Sequence, residues 1–278
     1  QVDELEKYLT MVYQHLDNYN LNQKYNELLN LLSYFESIIM SKEVANSIVN
    51  TTFVKLFISF LDIPNAYIRI RACSIIGNLI RYATSMEQPM DRYNLTEKLI
   101  SFISDTNLLL NKKAIATLGE YLFFAATRVE GESSNEITLN ENEIDNENWN
   151  VSHEAINALL YALNHEDEMV RFCAVKTIEN ISILTSVAKT YFTSSDDFML
   201  KLIESVESNN IVNSELKTSI YSTISHLIKL EPSLLKLFLS KVVDISSSLL
   251  QETIKNQQCL VNCFLFGIVE NINNLKEF

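Results

Sequence analysis

Two asparagines, Asn78 and Asn180, occupy the same place in a sequence pattern that occurs twice in this chain. The pattern begins at Ile68 in its first copy and at Val170 in its second. A carboxamide carries a donor and an acceptor together, so it can bond both the N–H and the C=O of an extended peptide backbone. The two side chains therefore predict peptide binding. The alternative is that they bond a neighbouring helix end and only define packing.

Two further polar residues fall at the same phase in weaker copies of this pattern. Those copies begin at Leu110 and Leu216, so Glu120 and His226 stand level with the two asparagines. The candidate peptide-binding residues are therefore Asn78, Glu120, Asn180 and His226.

Cationic side chains cluster in the first copy and again one copy later. On stacked helices they would form a basic strip that could dock an acidic partner segment. The alternative is that they are solvated separately on different helix faces. The residues of this basic strip are Arg69, Arg71, Arg81, Lys112 and Lys113.

No set of residues has the spacing of a catalytic, metal or cofactor site. The four histidines are scattered, and the four glycines are too far apart to form a phosphate-binding loop. The motifs of protein kinases and of serine or cysteine nucleophiles are absent. The four cysteines lie in apolar helical patterns, which predicts buried, reduced thiols. The chain is therefore predicted to be no enzyme and to carry no cofactor or metal.

Helices must position the asparagines, because apolar residues recur at helical spacing almost throughout the chain. Only four glycines and three prolines interrupt them. The asparagine-bearing helix of the first copy is predicted at 66–84, and a helix before it runs from about Val44 to Leu61. The helices predicted to open each repeat are Asn94–Ser104, Ser152–Asn164, Phe198–Glu207 and Pro232–Leu250.

The copies recur at a nearly constant interval. Leu110 follows Ile68 by 42 residues, and removing residues 131–148 restores the same interval to Val170. The last copy follows after 46 residues. A period of this length is typical of HEAT and armadillo arrays. The sequence predicts an all-α fold, a right-handed α-α superhelix that forms one solenoid over residues 1–278.

An arginine beside the turn follows an acid in both strong copies, Arg69 after Asp62 and Arg171 after Asp167. In HEAT-like arrays such pairs link consecutive turns in a ladder of charges. The alternative is a set of solvated charges that contribute little to stability.

Residues 131–148 predict an acidic, flexible insertion. The stretch 129–150 holds seven acidic side chains and no basic one, a composition that favours disorder. It could be an acidic docking strip or a loop regulated through Ser133 and Ser134; the alternative is a solvated, lineage-specific loop. The single tryptophan, Trp149, is predicted to pack against the helix that follows and to anchor the end of the loop.

The net charge of −13 limits the classes of partner. An acidic surface repels the phosphate backbone of nucleic acids and anionic lipids, so neither is an expected partner. No apolar run reaches the roughly 18–20 residues that span a bilayer. These observations favour a cytoplasmic protein that binds other proteins.

Three stretches in order carry a family resemblance: residues 68–81, residues 116–127, and residues 167–181 with Trp149 ahead of them. Together they resemble the helical-repeat region of the Unc-51-like kinase 4, Fused and Runkel group. The resemblance implies a kinase or pseudokinase domain upstream, outside this chain. It also implies a link to cilia and microtubules or to plant cytokinesis.

Three functions remain open at this point. The first is a non-catalytic scaffold that recruits other proteins, such as a partner kinase, a motor or a cytoskeletal adaptor. The second is a regulatory arm that controls a kinase domain in cis. The third is an armadillo-type adaptor for basic peptides, which the negative charge would favour. The expected location is the cytoplasm, with association to cilia or the cytoskeleton.

Overall fold

The structure is a computed structural model that describes residues 2–134, 149–194, 196–208, 214–234 and 237–238. The chain divides into two compact units. Within the described residues, the N-terminal unit covers residues 2–121 and the C-terminal unit covers those from residue 122 onward. The regular elements of these described residues are α-helices and 3₁₀ turns, with no β-strand among them. The predicted all-α class is therefore confirmed.

The N-terminal unit begins with two long helices, followed by shorter ones. A 3₁₀ turn follows the fourth helix at Phe60–Asp62, and another precedes the sixth at Met90–Tyr93. The helices are α1 (Val2–Leu21), α2 (Tyr25–Ile38), α3 (Lys42–Val49), α4 (Thr52–Ser59), α5 (Ala66–Tyr82), α6 (Leu95–Ile103) and the first part of α7 (Leu108–Ser134).

Within the residues that the structure describes, the C-terminal unit continues with the rest of α7 and five further helices. The predicted opening helices at 94–104, 152–164 and 198–207 correspond to α6 and to two of these five. The prediction at 232–250 lies largely outside the described residues. The five helices are α8 (His153–Ala162), α9 (Glu168–Ser182), α10 (Thr185–Tyr191), α11 (Asp196–Ser208) and α12 (Ser214–Leu230).

The prediction of one continuous helix from Val44 to Leu61 is wrong, because the chain bends by 87° between Val49 and Thr52. Thr51 is extended, and its hydroxyl accepts a hydrogen bond from the N–H of Phe53 at 3.3 Å, so it caps the new helix α4. The neighbouring Asn50 side chain leaves the helix pattern and accepts from the N–H of Glu87 at 2.9 Å. Two short helices therefore replace one long one.

Within the described residues, no single helix is long and apolar enough to cross a membrane. In the described part of the chain, one bent pair of helices, Lys42–Val49 with Thr52–Asp62, meets that test of length and composition when the two are taken together.

Each unit contains a group of three helices that begins with a short helix, of 8 or 7 residues, and ends with a long one of 17 residues. The groups are α3–α5 in the N-terminal unit and α10–α12 in the C-terminal unit. The sequence predicted two helices per repeat and missed the short ones, which have 8 and 7 residues and show too few apolar positions to reveal a period. Three helices per repeat distinguish armadillo arrays from HEAT arrays.

The repeat register places equivalent residues in the core. The first apolar position of each of the four copies is at most 1% exposed, at Ile68, Leu110, Val170 and Leu216. The small residue of the three clearest copies is fully buried, at Ala72, Ala114 and Ala174. Helix α2 repeats the same spacing with the buried residues Leu28, Leu32 and Phe35, a copy that the sequence was too degenerate to phase.

Helices α5 and α7 approach closely at Gly77. A Cβ atom there would lie 2.9 Å from Thr117 Oγ1. The same hydroxyl donates to the carbonyl of Cys73 at 2.8 Å, so it joins the two helices through a buried hydrogen bond. The glycine is needed here because a side chain would displace the hydroxyl that makes this bond.

The arginine at each turn does not form the predicted charge ladder. Arg171 donates to two backbone carbonyls of its own turn, His165 at 2.6 Å and Glu166 at 2.9 Å. Asn111 occupies the same repeat position and likewise donates to Ile103 and Asp105. In these two copies the residue at this position therefore secures the turn that precedes the long helix, by hydrogen bonds to backbone rather than by paired charges.

The two acids of the predicted ladder have other partners. Asp167 caps α9 by accepting from the N–H groups of Met169 and Val170. Asp62 pairs with Lys98, and Arg69 lies over the ring of Phe102 at 5.3 Å.

Helix α7 runs further than predicted, to Ser134, so the first residues of the predicted insertion are helical. Residues 135–148 lie outside the described part. Trp149 stacks on Phe124 with ring centroids 5.5 Å apart, and Arg128 lies 5.9 Å from its ring. Both partners belong to α7, the helix before the insertion, whereas the prediction placed Trp149 against the helix that follows.

Candidate functional site

Three helices of the N-terminal unit enclose a groove with a volume of about 340 Å³. We call it the α5 groove, because α5 forms its floor between α2 and α7. Its lining residues are Leu29, Ser33 and Glu36 of α2, Tyr67, Ile70, Arg71 and Ser74 of α5, and Leu109 and Lys113 of α7.

The walls of the α5 groove are apolar and open to solvent. Tyr67 is 71% exposed and Leu109 is 51% exposed, although both are large hydrophobic residues. They occupy the same repeat position, one residue before the first buried apolar residue of each copy. Met169 holds this position in the C-terminal unit and is 53% exposed. None of these three residues was among the predicted site residues, although a large apolar residue recurring at the same phase is visible in the sequence.

The charges of the α5 groove are unequally paired. Arg71 forms an ion pair with Glu36, across from α5 to α2. Lys113 donates to the hydroxyl of Ser74 at 3.1 Å, which joins α7 to α5. Within the described residues, no carboxylate lies within ion-pair distance of Lys113. In the described part of the chain, the ammonium group of Lys113 therefore has a neutral hydrogen-bond partner and no ion pair.

Asn78 continues the face of α5 that lines the groove, since it follows Ser74 by one helical turn. The side chain is half-buried and, within the described residues, makes no hydrogen bond. Beyond it, Arg81 donates from Nε to Oε1 of Glu120 at 3.0 Å. The carboxamide of Asn78 is therefore available to a ligand, whereas the carboxylate of Glu120 is held in an ion pair.

The C-terminal unit shows the same contrast. Asn180 on α9 is half-buried and, in the described part of the chain, has no hydrogen-bond partner. His226 on α12 lies with its Nδ1 atom 3.0 Å from the hydroxyl of Ser182 on α9. Burial lowers the pKa of His226, although the carboxylate of Glu179 acts against this shift. The imidazole thus links two helices in its neutral form.

The four predicted peptide-binding residues thus divide into two kinds. Asn78 and Asn180 are free to bind, which leaves their role a prediction. Glu120 and His226 instead contact side chains of neighbouring helices. The alternative interpretation, that this row defines helix packing, describes these two.

The predicted basic strip does not occupy one surface. Arg71 and Lys113 line the α5 groove, and Arg81 lies on the continuation of the same face of α5. Arg69 points the other way, towards Phe102 of α6. Lys112 is half-buried next to Lys113.

Glu130 is a structural residue that the sequence analysis placed in the acidic stretch. Its carboxylate accepts from the N–H of Ser186 at 2.9 Å and from the hydroxyl of the same residue. Burial acts to raise the pKa of Glu130, but hydrogen bonds from Ser186, Val187 and Thr185 together lower it. The side chain caps the start of α10.

The described residues contain no group of three or more histidine, cysteine or acidic side chains that could hold a metal ion. Cys73 is fully buried, and burial raises the pKa of its thiol to about 12. The thiol is therefore protonated at neutral pH and is no nucleophile.

The fold is that of armadillo repeat proteins. Computationally designed armadillo repeat proteins for modular peptide recognition superpose with a TM-score of 0.66, at 13% identity, over 93% of this chain and 97% of theirs. A designed armadillo repeat protein in complex with peptide (KR)4 gives a TM-score of 0.64, at 12% identity, over 93% of this chain and 97% of its own. At these identities the likeness shows the fold alone.

Two serine/threonine-protein kinases are similar to this chain in sequence. The chain is 25% identical to serine/threonine-protein kinase RUNKEL from Arabidopsis thaliana over 249 residues, 88% of this chain and 18% of RUNKEL. It is 27% identical to serine/threonine-protein kinase ULK4 from Mus musculus over 172 residues, 60% of this chain and 12% of ULK4. No protein-family profile matches the sequence. The resemblance to these two proteins is confirmed, and the chain spans less than a fifth of either.

Proposed function

We propose that this chain is a non-catalytic scaffold that binds extended segments of other proteins, and that it is the repeat arm of a RUNKEL- or ULK4-like kinase or pseudokinase. The armadillo-type fold supports this proposal, because stacked helices present surfaces to partners and seldom build catalytic sites. The two kinase relatives support the second half of it.

The observation that carries the proposal is the free carboxamide of Asn78 beside the α5 groove. In this position it would donate to a carbonyl and accept from an N–H of a bound peptide backbone. The exposed rings and aliphatic chains of Tyr67 and Leu109 would take up apolar side chains of the same peptide. The designed neighbours of the same fold include proteins for modular peptide recognition and one in complex with a peptide, which favours this use of the fold.

A second candidate is a regulatory arm that binds its own kinase domain in cis. The kinase relatives favour it, since the matched stretch is less than a fifth of each and both are named as serine/threonine-protein kinases. The two candidates use the same face of the helices and differ in the partner.

The cellular role proposed for the scaffold is recruitment of a partner kinase, a motor or a cytoskeletal adaptor in the cytoplasm. Association with cilia or microtubule-based processes follows from the family resemblance. The net charge of −13 favours protein partners over nucleic acid or anionic membranes, and it disfavours direct contact with the acidic surface of tubulin.

The test compares proteins captured by the immobilised chain with those captured by Asn78→Ala and Asn180→Ala variants, each quantified by mass spectrometry. Asn157→Ala is the matched control, because Asn157 is exposed on α8 and is none of the four predicted peptide-binding residues. Loss of the same partners from the first two variants, with thermal stability unchanged, supports the scaffold. Equal capture by all four proteins contradicts it. Capture of the parent kinase domain alone supports the regulatory arm.

A further inference from the structure

We propose that the α5 groove selects acidic segments: an extended peptide of a partner protein, in which a glutamate or aspartate stands next to apolar residues, binds there with its carboxylate on Lys113. The proposal deepens the scaffold function and rests on it. Its subject is the chemistry of the partner, which the proposed function leaves open.

The first argument is the state of Lys113. Its ammonium group has three donors, and the hydroxyl of Ser74 takes one of them at 3.1 Å. The side chain is half-buried, so water does not fully solvate the remaining donors. Removing a charge from water is costly unless the charge is paired. A carboxylate arriving in the groove would supply the missing partner.

The second argument is that the other cations of this face are already paired. Arg71 is bound to Glu36, and Arg81 is bound to Glu120, each by an ion pair to the neighbouring helix. A ligand carboxylate would have to displace an acid of the chain from either arginine. At Lys113 a ligand carboxylate displaces no acid of the described part of the chain. Lys113 is therefore the cation of this face that would select the charge of the ligand.

The third argument is the net charge of the groove lining. It contains one acid, Glu36, and two bases, Arg71 and Lys113. The groove therefore carries one excess positive charge within a chain whose net charge is −13. A basic peptide would meet this charge in a partly desolvated site, where repulsion is stronger than in water. Complementarity thus favours acidic ligands here, in contrast to the adaptor for basic peptides that the overall charge suggests.

The apolar walls define the rest of the ligand. Tyr67 and Leu109 stand exposed at the same groove, and Leu29 faces it from α2. Side chains of an extended peptide alternate in direction, so every second residue would face this wall. A volume of about 340 Å³ accommodates a few side chains and no folded domain. An acidic residue beside apolar ones meets both requirements.

The experiment uses three fluorescent octapeptides in which leucine alternates with glutamate, with glutamine or with lysine. Binding to the full chain is measured by fluorescence anisotropy at low and at high salt. We expect the glutamate peptide to bind about tenfold more tightly than the glutamine peptide, and the lysine peptide to bind most weakly. The preference should shrink at high salt, because mobile ions screen a partly exposed pair.

Variants of Lys113 test whether this side chain causes the preference for the glutamate peptide. Lys113→Met should remove the preference for glutamate while the glutamine peptide binds as before, and Lys113→Arg should retain it. Lys55→Met is the matched control, since Lys55 is exposed on α4 and does not line the groove. This control should behave as the unmodified chain. Melting curves verify that each variant is folded.

Three results would overturn the proposal. The lysine peptide could bind as tightly as the glutamate peptide, which would keep the scaffold function and reject acidic selection. The glutamate preference could persist in Lys113→Met, which would place it elsewhere. No peptide could bind at concentrations up to about 1 mM, which would reject the α5 groove as a peptide site. In that case, capture that is lost in Asn180→Ala would still sustain the scaffold through the C-terminal unit.

Discussion

The two units carry the same residue at one repeat position and different residues at another. Asn78 and Asn180 are equivalent, and neither carboxamide makes a hydrogen bond to the part of the chain that the structure describes. Seven residues before each asparagine, the N-terminal unit has Arg71, with Lys113 at the same position of the next copy, whereas the C-terminal unit has Cys173 and Ser219 there. The two units therefore share the group that could hold a peptide backbone and differ in the groups that could select its side chains.

The comparison separates binding of a peptide backbone from preference for the charge of its side chains. A carboxamide bonds any peptide backbone, so a unit needs little else in order to bind an extended chain. A cation reads the charge of the ligand, and only the N-terminal unit places cations at this repeat position. We expect charge preference in the N-terminal unit and little in the C-terminal unit.

The largest effect on stability is expected from truncating buried side chains at equivalent core positions of the two units. Ile76→Ala and Ile178→Ala each remove a fully buried side chain and should each lower the free energy of unfolding by about 2–5 kcal/mol. Urea denaturation followed by circular dichroism reports both units, while fluorescence of the single tryptophan, Trp149, reports the C-terminal unit. A much smaller loss in one variant would show that the two positions are not equivalent.

A glycine in each unit gives opposite expectations. Gly77→Val places its side chain against Thr117 and should lower the free energy of unfolding by about 1–3 kcal/mol. Gly131→Ala, in the C-terminal part of α7, meets no atom within 4 Å and should raise it by about 0.5–1 kcal/mol, since alanine favours the helix. Thermal denaturation of both variants tests the pair. A neutral Gly77→Val would disprove the close approach of α5 and α7.

The turn arginines should differ between the units. Arg171→Met removes two hydrogen bonds to backbone carbonyls and should cost about 1.5–2 kcal/mol. Arg69→Met removes the contact of its guanidinium with the ring of Phe102 and should cost less than about 1 kcal/mol. Chemical denaturation of the two variants, with the fluorescence of Trp149 for the first, provides the comparison. Equal losses would mean that Arg69 also secures its turn.

The smallest effect concerns the cap of α10, which belongs to the C-terminal unit. Because folding lowers the pKa of Glu130, its carboxylate stabilises the fold above the pKa of the unfolded chain, and the contribution is lost as pH falls through the folded pKa. Glu130→Gln should therefore cost about 1 kcal/mol at neutral pH and less in acid. Trp149 fluorescence during denaturation at pH 7 and below measures this difference.

The control for this prediction is Glu166→Gln, because the side chain of Glu166 is exposed in the turn before α9. It should leave the pH profile of stability unchanged. A Glu130→Gln profile that is parallel to that of the unmodified chain at every pH would argue against the cap.

The sequence predicted the long helices well and the short ones poorly. The pattern from Ile68 to Asn78 spans three turns of helix, so its apolar period is readable, and α5 begins at the predicted residue. The bend at Thr51 was missed, because the apolar residues on both sides continue in helical phase and only a capping hydroxyl marks the break. The ring contacts of Trp149 with Phe124 and Arg128 of α7 were not predicted, since a residue between two helices can pack on either.

The candidate site was predicted in part. The sequence identified Asn78, Lys113 and the arginines of α5 as candidates, and it also predicted Glu120 and His226, which the structure shows in contact with Arg81 and Ser182. It gave no weight to the exposed apolar residues at Tyr67, Leu109 and Met169, because an apolar side chain in a helical pattern is usually taken as core.

The sequence by itself determined the all-α class, the repeat interval and the buried register, because the period of a helix and the size of a residue at a crossing point are properties of the local chain. Tertiary structure decided which polar side chains stay free. Glu120 contacts Arg81 and His226 contacts Ser182, each about forty residues away, while Lys113, among the described residues, bonds a hydroxyl and no carboxylate. Contacts at that separation depend on how neighbouring helices are placed, which no local pattern specifies.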